Sequence, residues 1–550
     1  MGDYSEAKPE YHIFPSIWSV TIDQKAKDNP GGVFCEIMES DWRDKGSRKV
    51  TYHETARAVN RMCRWFDSEF GPSHNLDSFT YFGDNDLRYT LATIAAQKSQ
   101  RQMVIAELDR LTHPALLLLL VDTKCFRWLG GSPAQAALGE PLLTERPGIQ
   151  LSTFPPLNHW LEDGEMEDYP FDKTWDEVKS NPCFVIHSSG TTGIPKTLRY
   201  SLEMSATTNI IERQPDGSLD KSNWMTEPVF NSRCLWVAPP KWLGGVIGQL
   251  FFPMYYNLCP IWPPVDEPAP TPAPVVAEII AKLEPECAFY VPSTIRDLCL
   301  NKTSLEMVKK YHKWIGYGGA PLEDWVGNLL CTELSLVTFL GATETCLWAL
   351  DRPEDPRDWQ YYRMDKRVGW RLEHFKDDMY ELVFDKKPAW QRFQGAFVMF
   401  PELDVYHTQD LYSPHPTKPD EYIRYRGRKD DLVKLVWLTK VRAGDMEAAL
   451  CRNPMIANAM VGGEGRPTPF VILEVSKNAR SPTAAEELWA IVEDLNRTLS
   501  AEVQVPRQNV IVAHSDKPLK KLGKGTLDRR GILIDYQEEI EFVYSDHPII

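Results

Sequence analysis

The chain has 550 residues, 43% of them hydrophobic and 25% charged, and 61 Lys+Arg against 77 Asp+Glu leave a formal net charge of −16. That length suffices for a sizeable core and suggests three or four domains of roughly 100–200 residues each. The acidic balance excludes a protein that grips nucleic acid through a broad basic face, which needs clustered Lys and Arg, yet it leaves room for one local anion site.

The first residues, MGDYSEAKPEYHIF, lack the basic-then-apolar pattern of a secretory signal. The apolar run Leu116 to Leu120 is far shorter than the ~20 residues of a membrane span and predicts a buried strand or helix. Eleven dispersed cysteines without a CxxC pair predict reduced, mostly buried thiols in a cytoplasmic protein with no membrane or nucleic-acid partner. Short apolar runs then alternate with amphipathic stretches: Phe184 to Gly190, Cys234 to Pro240, Cys287 to Ser293, Lys313 to Pro321 and Leu336 to Glu344. This rhythm predicts α/β units, and each run ends in Gly, Pro or Ser, where a ligand site in a parallel sheet is to be sought. The proline-rich segment from Pro260 to Pro274 predicts a stiff surface loop inside a domain, outside any sheet. The charged cluster Arg428-Lys429-Asp430-Asp431 marks a boundary before a smaller unit.

After the run at Phe184 comes His187-Ser188-Ser189-Gly190-Thr191-Thr192-Gly193-Ile194-Pro195-Lys196. Glycines let backbone N–H groups approach an anion, hydroxyls add donors and the lysine adds a point charge, so the composition suits a polyphosphate. It is not a Walker loop, because Pro195 stands where that spacing, counted from Gly190, requires glycine.

This string resembles the phosphate loop of the acyl-adenylate-forming superfamily, and the superfamily's other motifs follow in order. Tyr317-Gly318-Gly319-Ala320-Pro321 resembles the turn that lines the acyl pocket and approaches adenine. Gly341-Ala342-Thr343-Glu344-Thr345 resembles the motif whose Thr touches the α-phosphate and whose Glu holds magnesium, with Leu340 before it where the family usually has an aromatic that stacks on adenine. Thr408-Gln409-Asp410 resembles the motif whose Asp takes the ribose hydroxyls. Gly427 to Asp431 resembles the hinge, with Arg428 on the ribose and Asp430 as pivot, and Gly523 to Arg529 resembles the motif bearing the adenylation lysine, Lys524. An alignment anchored on Asp528-Arg529 puts the lysine position on Thr526 instead, leaving Lys520 or Lys521 to serve. His415 to Leu435, Glu447 and the ending GKGTLDRR are most similar to adenylation domains of fungal synthetase-like carboxylic acid reductases.

The resemblance implies an α/β fold with a large N-terminal adenylation domain (1–427), a hinge (428–431) and a small mobile C-terminal α+β domain (432–550). It implies an enzyme that uses ATP and Mg²⁺ to convert a carboxylic acid to acyl-AMP and passes it to the phosphopantetheine thiol of a carrier domain, either in trans or in cis beyond residue 550. Lys196, Thr343, Glu344 and Lys524 carry the chemistry in that reading. Trp242 is implied to gate the acyl pocket, lined by Leu243, Gly318, Gly319, Phe339, Leu347 and Trp348. Amino-acid-activating relatives place Asp where Leu243 stands, and an ammonium buried against leucine is left unpaired at a cost of several kcal/mol, so a hydrophobic or aryl acid is expected. Free CoA is the alternative acceptor. An inactive nucleotide- or acyl-binding module is the alternative class, suggested by Leu340, Gln409 and Leu438 where the family has other residues, and opposed by the retention of Lys196, Thr343, Glu344, Asp410 and Arg428.

Overall fold

The computed structural model describes residues 16–73, 75–108, 111–188, 196–210, 229, 231–429, 432–435, 440–476, 484–499, 501–522 and 525–545. Two compact units result. The larger takes Met1–Trp370 and Phe384–Tyr406, the smaller Arg371–Val383 and His407–Ile550, so the backbone passes between them three times.

In the larger unit, β1 (Val33–Met38) pairs antiparallel with β2 (Ser47–Thr51). Next, β3 (Ser78–Phe82), β4 (Gln102–Val104), β5 (Arg127–Gly130), β6 (Gln150–Thr153), β7 (Pro182–Ser188) and β8 (Lys196–Ser201) build a sheet of order β6-β5-β3-β4-β7-β8. It is parallel except for the β7/β8 pair. A second sheet joins β9 (Arg233–Trp236), β10 (Cys259–Trp262), β11 (Cys287–Tyr290), β12 (Trp314–Gly318) and β13 (Ser335–Phe339) to the first two strands, in the order β13-β12-β11-β9-β10-β1-β2. Parallel strands covered on both faces read as unbroken apolar runs, and every residue of β11 is buried. Leu235, Ile261, Ala288, Ile315 and Leu336 from five neighbouring strands meet Val276, Ile279 and Ile280 of the helix Ala273–Leu283 in one core. Each buried side chain of this size contributes about 1.5–3 kcal/mol.

The proline-rich segment is shorter than its sequence suggests. Pro260 to Trp262 belong to β10, between β9 and β1. Proline removes one ladder donor, but Cys259 N–H already bonds Ser232 O at 2.8 Å, and the buried Ile261 and Trp262 complete the strand. At the other end, Ala273 and Pro274 open a helix, whose first turn tolerates a missing N–H.

Two short antiparallel pairs follow, β14 (Gly341–Ala342) with β15 (Cys346–Leu347) as a sheet of its own, and β16 (Leu350–Asp351) with β17 (Tyr362–Met364). Four antiparallel strands follow, β18 (Trp370–Lys376), β19 (Met379–Asp385), β20 (Val405–Pro414) and β21 (Tyr422–Arg428), neighbours in the order β21-β20-β19-β18. Most of their residues belong to the smaller unit, so the expected break at 428–431 falls within that unit. Beyond them, β22 (Leu432–Lys434) pairs with β23 (Lys440–Arg442), and β24 (Ile456–Gly462), β25 (Phe470–Val475) and β26 (Val510–Val512) form a sheet. Side chains alternate across a strand. Ala459, Val461, Val471 and Leu473 therefore enter one core with Met446, Leu488 and Val492, while Met460, Phe470 and Ile472 enter another with Ile532, Tyr536 and Ile540. The fold is thus α/β, with an α+β smaller part. None of the eleven cysteines is paired and only Cys451 is exposed. No described helix is long and apolar enough to cross a membrane.

Candidate active site

In the larger unit the phosphate-loop sequence joins β7 to β8. Ser188 stands opposite Lys196 in the register, so the two ends of 189–195 are neighbours. Ser189, Gly190, Thr191, Thr192 and Gly193 lie outside the described residues, as does the Ser188 side chain. Lys196 is exposed at the start of β8, its Nζ 5.6 Å from the centroid of the Phe400 ring. Cation–π attraction of this kind holds an ammonium loosely, leaving its three donors for an anion.

The Thr343–Glu344 pair occupies the corner of a tight turn. Thr345 N–H bonds Ala342 O at 3.1 Å, so Thr343 and Glu344 are the two central residues, both half-buried. Three features hold the corner. A Cβ on Gly341 would stand 2.1 Å from the Cys346 carbonyl oxygen, which explains the glycine. Trp348 bonds Leu340 O through its main-chain N–H at 2.9 Å and Thr345 Oγ1 through its indole N–H at 2.8 Å. Tyr200, fully buried on β8, donates its hydroxyl hydrogen to Thr343 O at 2.6 Å.

Gly318 ends β12 beside Phe339, its partner in register at the end of β13. A Cβ on Gly318 would lie 2.6 Å from Phe339 O, and Gly319 has φ +81°, the left-handed region that favours glycine. Gly319, Ala320 and Pro321 therefore leave the sheet at the same edge as Leu340 and Gly341, the carboxyl edge of parallel strands.

The implied acyl wall starts from Trp236. Its indole stacks on Phe289 at 4.4 Å between centroids and donates to Gly244 O at 2.9 Å. A Cβ on Gly248 would meet that indole at 1.9 Å, so only glycine lets the helical segment that starts at Leu243 lie against it. Trp242, the residue before that segment, and Leu243 and Leu347 are half-buried. Phe339 and Trp348 are buried, Phe339 among Trp236, Phe289 and Phe252 at 5.5–5.7 Å, and Trp348 edge-on to Phe384 at 5.0 Å. These surfaces are apolar, with no carboxylate among the named residues.

In the smaller unit Asp410 of β20 opposes Arg428 of β21, the carboxylate 3.8 Å from the guanidinium. Thr408 Oγ1 donates to Leu382 O at 2.8 Å and accepts from Asp410 N–H at 3.1 Å. Glu381, buried in the middle of β19, takes Gln409 N–H at 3.1 Å, His407 Nδ1 at 3.1 Å and the Lys429 ammonium. Burial pushes its carboxyl pKa up, but Lys429, His407 and the Gln409 amide outweigh that and hold it below the ordinary value. Asp430 and Leu438 lie outside the described residues.

Lys524 also lies outside them, between the described Leu522 and Gly525. Leu522 N–H bonds Thr526 O at 2.7 Å, and Asp528 N–H bonds Lys520 O at 2.9 Å. Of the alternatives, Lys520 is held by both oxygens of Asp535 at 2.8–2.9 Å, and Lys521 is exposed in a bridge to Leu527. Glu447 receives two bonds from Arg529 at 2.6 Å and one from Val461 N–H at 2.7 Å, tying the helix Ala443–Leu450 to β24. It belongs to the scaffold.

Glu373, Glu381 and His407 bring one ligand atom each within 4.8 Å of one another. Lys429 and Arg371 already hold the two carboxylates, so a cation there would have to displace an ammonium and a guanidinium. Glu344, a hard oxygen donor at a half-buried turn corner, fits Mg²⁺ better, since such sites take one or two carboxylates plus phosphate oxygens. Sequence reasoning passed over Tyr200 and Glu381. The signal for Glu381 was a lone acid inside the apolar run MYELVF; Tyr200 had none beyond strand alternation.

The family model described as AMP-binding enzyme matches residues 22–374, and the one described as AMP-binding enzyme C-terminal domain matches residues 430–548. The chain is 25% identical over 535 residues to the carboxylic acid reductase of Neurospora crassa, covering 96% of this chain and 50% of that protein. It is 26% identical over 527 residues to the isocyanide synthase-NRPS hybrid crmA of Aspergillus fumigatus, covering 95% and 33%. It therefore spans half or less of the length of these curated relatives. In fold it is similar to the crystal structure of the anthranilate CoA ligase AuaEII in complex with anthranoyl-AMP, with a TM-score of 0.72 and 15% identity over 96% of this chain and 98% of that one.

Proposed function

The chain belongs to the AMP-binding enzyme family, and from that premise we propose that it activates a hydrophobic or aryl carboxylic acid with ATP and passes the acyl group to a phosphopantetheine thiol on a carrier domain. The observation that supports this most is the turn at Thr343 and Glu344, held by Tyr200 from the strand that begins with Lys196.

A carboxylate attacking the α-phosphorus brings two anions together, so the work is electrostatic screening and positioning. The new bond joins carboxylate oxygen to α-phosphorus, and the bond to the departing pyrophosphate breaks. Lys196 and the loop 188–193 would hold the β- and γ-phosphates. Thr343 would donate to the α-phosphate, and Lys524 would pair with the carboxylate and the α-phosphate. Asp410 would accept from the ribose hydroxyls and Arg428 would donate to them. Mg²⁺ held by Glu344 would supply charge neutralisation to the phosphate oxygens. In the second step the thiolate sulfur bonds the acyl carbon and AMP leaves with the electrons of the broken C–O bond. Asp430 is the proposed pivot for that change of state, with 428–431 as the hinge between parts 1–427 and 432–550. The family model that begins at residue 430 supports this division.

The apolar residues Leu243, Phe339, Leu347 and Trp348 support a hydrophobic acid, and Leu243 disfavours an ordinary α-amino acid. We also propose a cytoplasmic location, supported by eleven unpaired cysteines. ATP–pyrophosphate exchange across aryl, aliphatic and amino acids tests the first step; silence across all three with intact folding overturns the reading. Mass detection of acyl transfer to a separately produced carrier and to free CoA decides the acceptor, and transfer to CoA alone replaces the carrier with CoA.

A further inference from the structure

We propose that Glu381 is a positioning residue for Asp410, fixing the backbone on both sides of the Asp410–Arg428 pair. The inference rests on the reading that Asp410 takes the ribose hydroxyls. Glu381 is 2% exposed in the middle of β19. A carboxylate so placed persists only with its oxygens committed, and the geometry shows to what. One oxygen accepts from the N–H of Gln409, the residue before Asp410. The other takes the ammonium of Lys429, the residue after Arg428, together with His407 Nδ1. Asp410 and Arg428 face each other in the β20/β21 register, so a single side chain grips the neighbour of each.

Gln409 makes that grip consequential. Its φ is +63°, in the left-handed region where a residue with a Cβ is strained. Such a conformation persists where its surroundings over-determine it, and it clusters at ligand clamps. Here Glu381 holds the Gln409 amide, and Thr408 bridges Leu382 O and the Asp410 amide. Residues 381–382 thus pin the whole run from 407 to 410, and the direction in which Asp410 leaves the strand follows from a backbone angle that this clamp enforces. A glycine at 409 would adopt the same angle unaided.

Calorimetric binding of ATP and of 2′,3′-dideoxy-ATP to the full chain tests this. The wild type is expected to prefer ATP. Glu381→Gln should weaken ATP by about tenfold and dideoxy-ATP by less than about twofold, and Gln409→Gly added to it should restore most of the loss. Thr408→Val, which loosens the same clamp without removing a buried charge, should show the same pattern at about fivefold and stands in if Glu381→Gln does not fold. Equal loss for both nucleotides, no loss for either, or no rescue by Gln409→Gly overturns the positioning role. Asp410→Ala is the separate control: if it leaves the preference for ATP intact, the ribose reading itself fails.

Discussion

Tyr200 and Thr343, 143 residues apart, are joined by a 2.6 Å hydrogen bond from the phenol to the main-chain carbonyl. In a strand, residues i and i+4 share a face, so Tyr200 and Lys196 lie on the same side of β8, one fully buried and the other exposed. The strand therefore couples the lysine's place to the turn that presents Thr343 and Glu344. Tyr200→Phe keeps the ring and leaves a carbonyl short of its donor, a loss of about 1–2 kcal/mol. We expect ATP–pyrophosphate exchange to fall about 5- to 30-fold while the thermal midpoint changes by only a few degrees.

On the proposed reading, Lys196→Ala removes a cation that screens two anions, and Glu344→Ala removes the carboxylate that would hold Mg²⁺. Each should lower the exchange rate by about 10²–10³, with circular dichroism unchanged because neither side chain is part of a core. Exchange at wild-type rates in either variant would remove that residue from the chemistry.

Leu243→Asp supplies the carboxylate that an ammonium group requires. The ratio of exchange with phenylalanine to exchange with 3-phenylpropionate, two acids of similar shape, should rise at least about tenfold. A wild-type ratio already favouring phenylalanine would refute the pocket assignment of Leu243.

His312 gives the larger unit a pH signature unrelated to catalysis. Burial pushes its imidazole down to about 4, although the Pro285 carbonyl at Nδ1, 2.8 Å away, pulls the other way; Nε2 meets the Tyr290 hydroxyl at 2.9 Å. The folded value lies below the unfolded one of about 6.5, so the unfolded chain binds the extra proton first. Stability is full above pH 6.5 and declines as pH falls towards 4, by about 3 kcal/mol from this group. Urea midpoints at pH 7 and pH 4.5 should differ by less in His312→Gln than in the wild type.

The five strand runs read from the sequence all became strands of the larger unit, because parallel strands buried on both faces leave an unbroken apolar trace. The motif residues were legible for a different reason: glycines at Gly318 and Gly341 stand where a Cβ would strike a backbone carbonyl, a constraint visible as composition. What stayed hidden depends on long-range contact. Nothing near Tyr200 in the chain announces Thr343, and nothing near Glu381 announces Lys429. Pro260 misled because a strand tolerates one missing donor when its neighbours bond on either side of it, which no local rule can foresee.

The three passages of the backbone between the two compact units bear on exchange of parts between relatives. A recombination point after Arg428 would carry residues 429–550 to a new partner but leave Arg371–Val383, with Glu381, behind in the old one. The Lys429–Glu381 pair would then be assembled from two parents. If Glu381 positions Asp410 as proposed, such a hybrid keeps the contact when the first parent supplies an acid at 381 and the second a base at 429, so that pair is the compatibility rule by which chimeras can be chosen in advance.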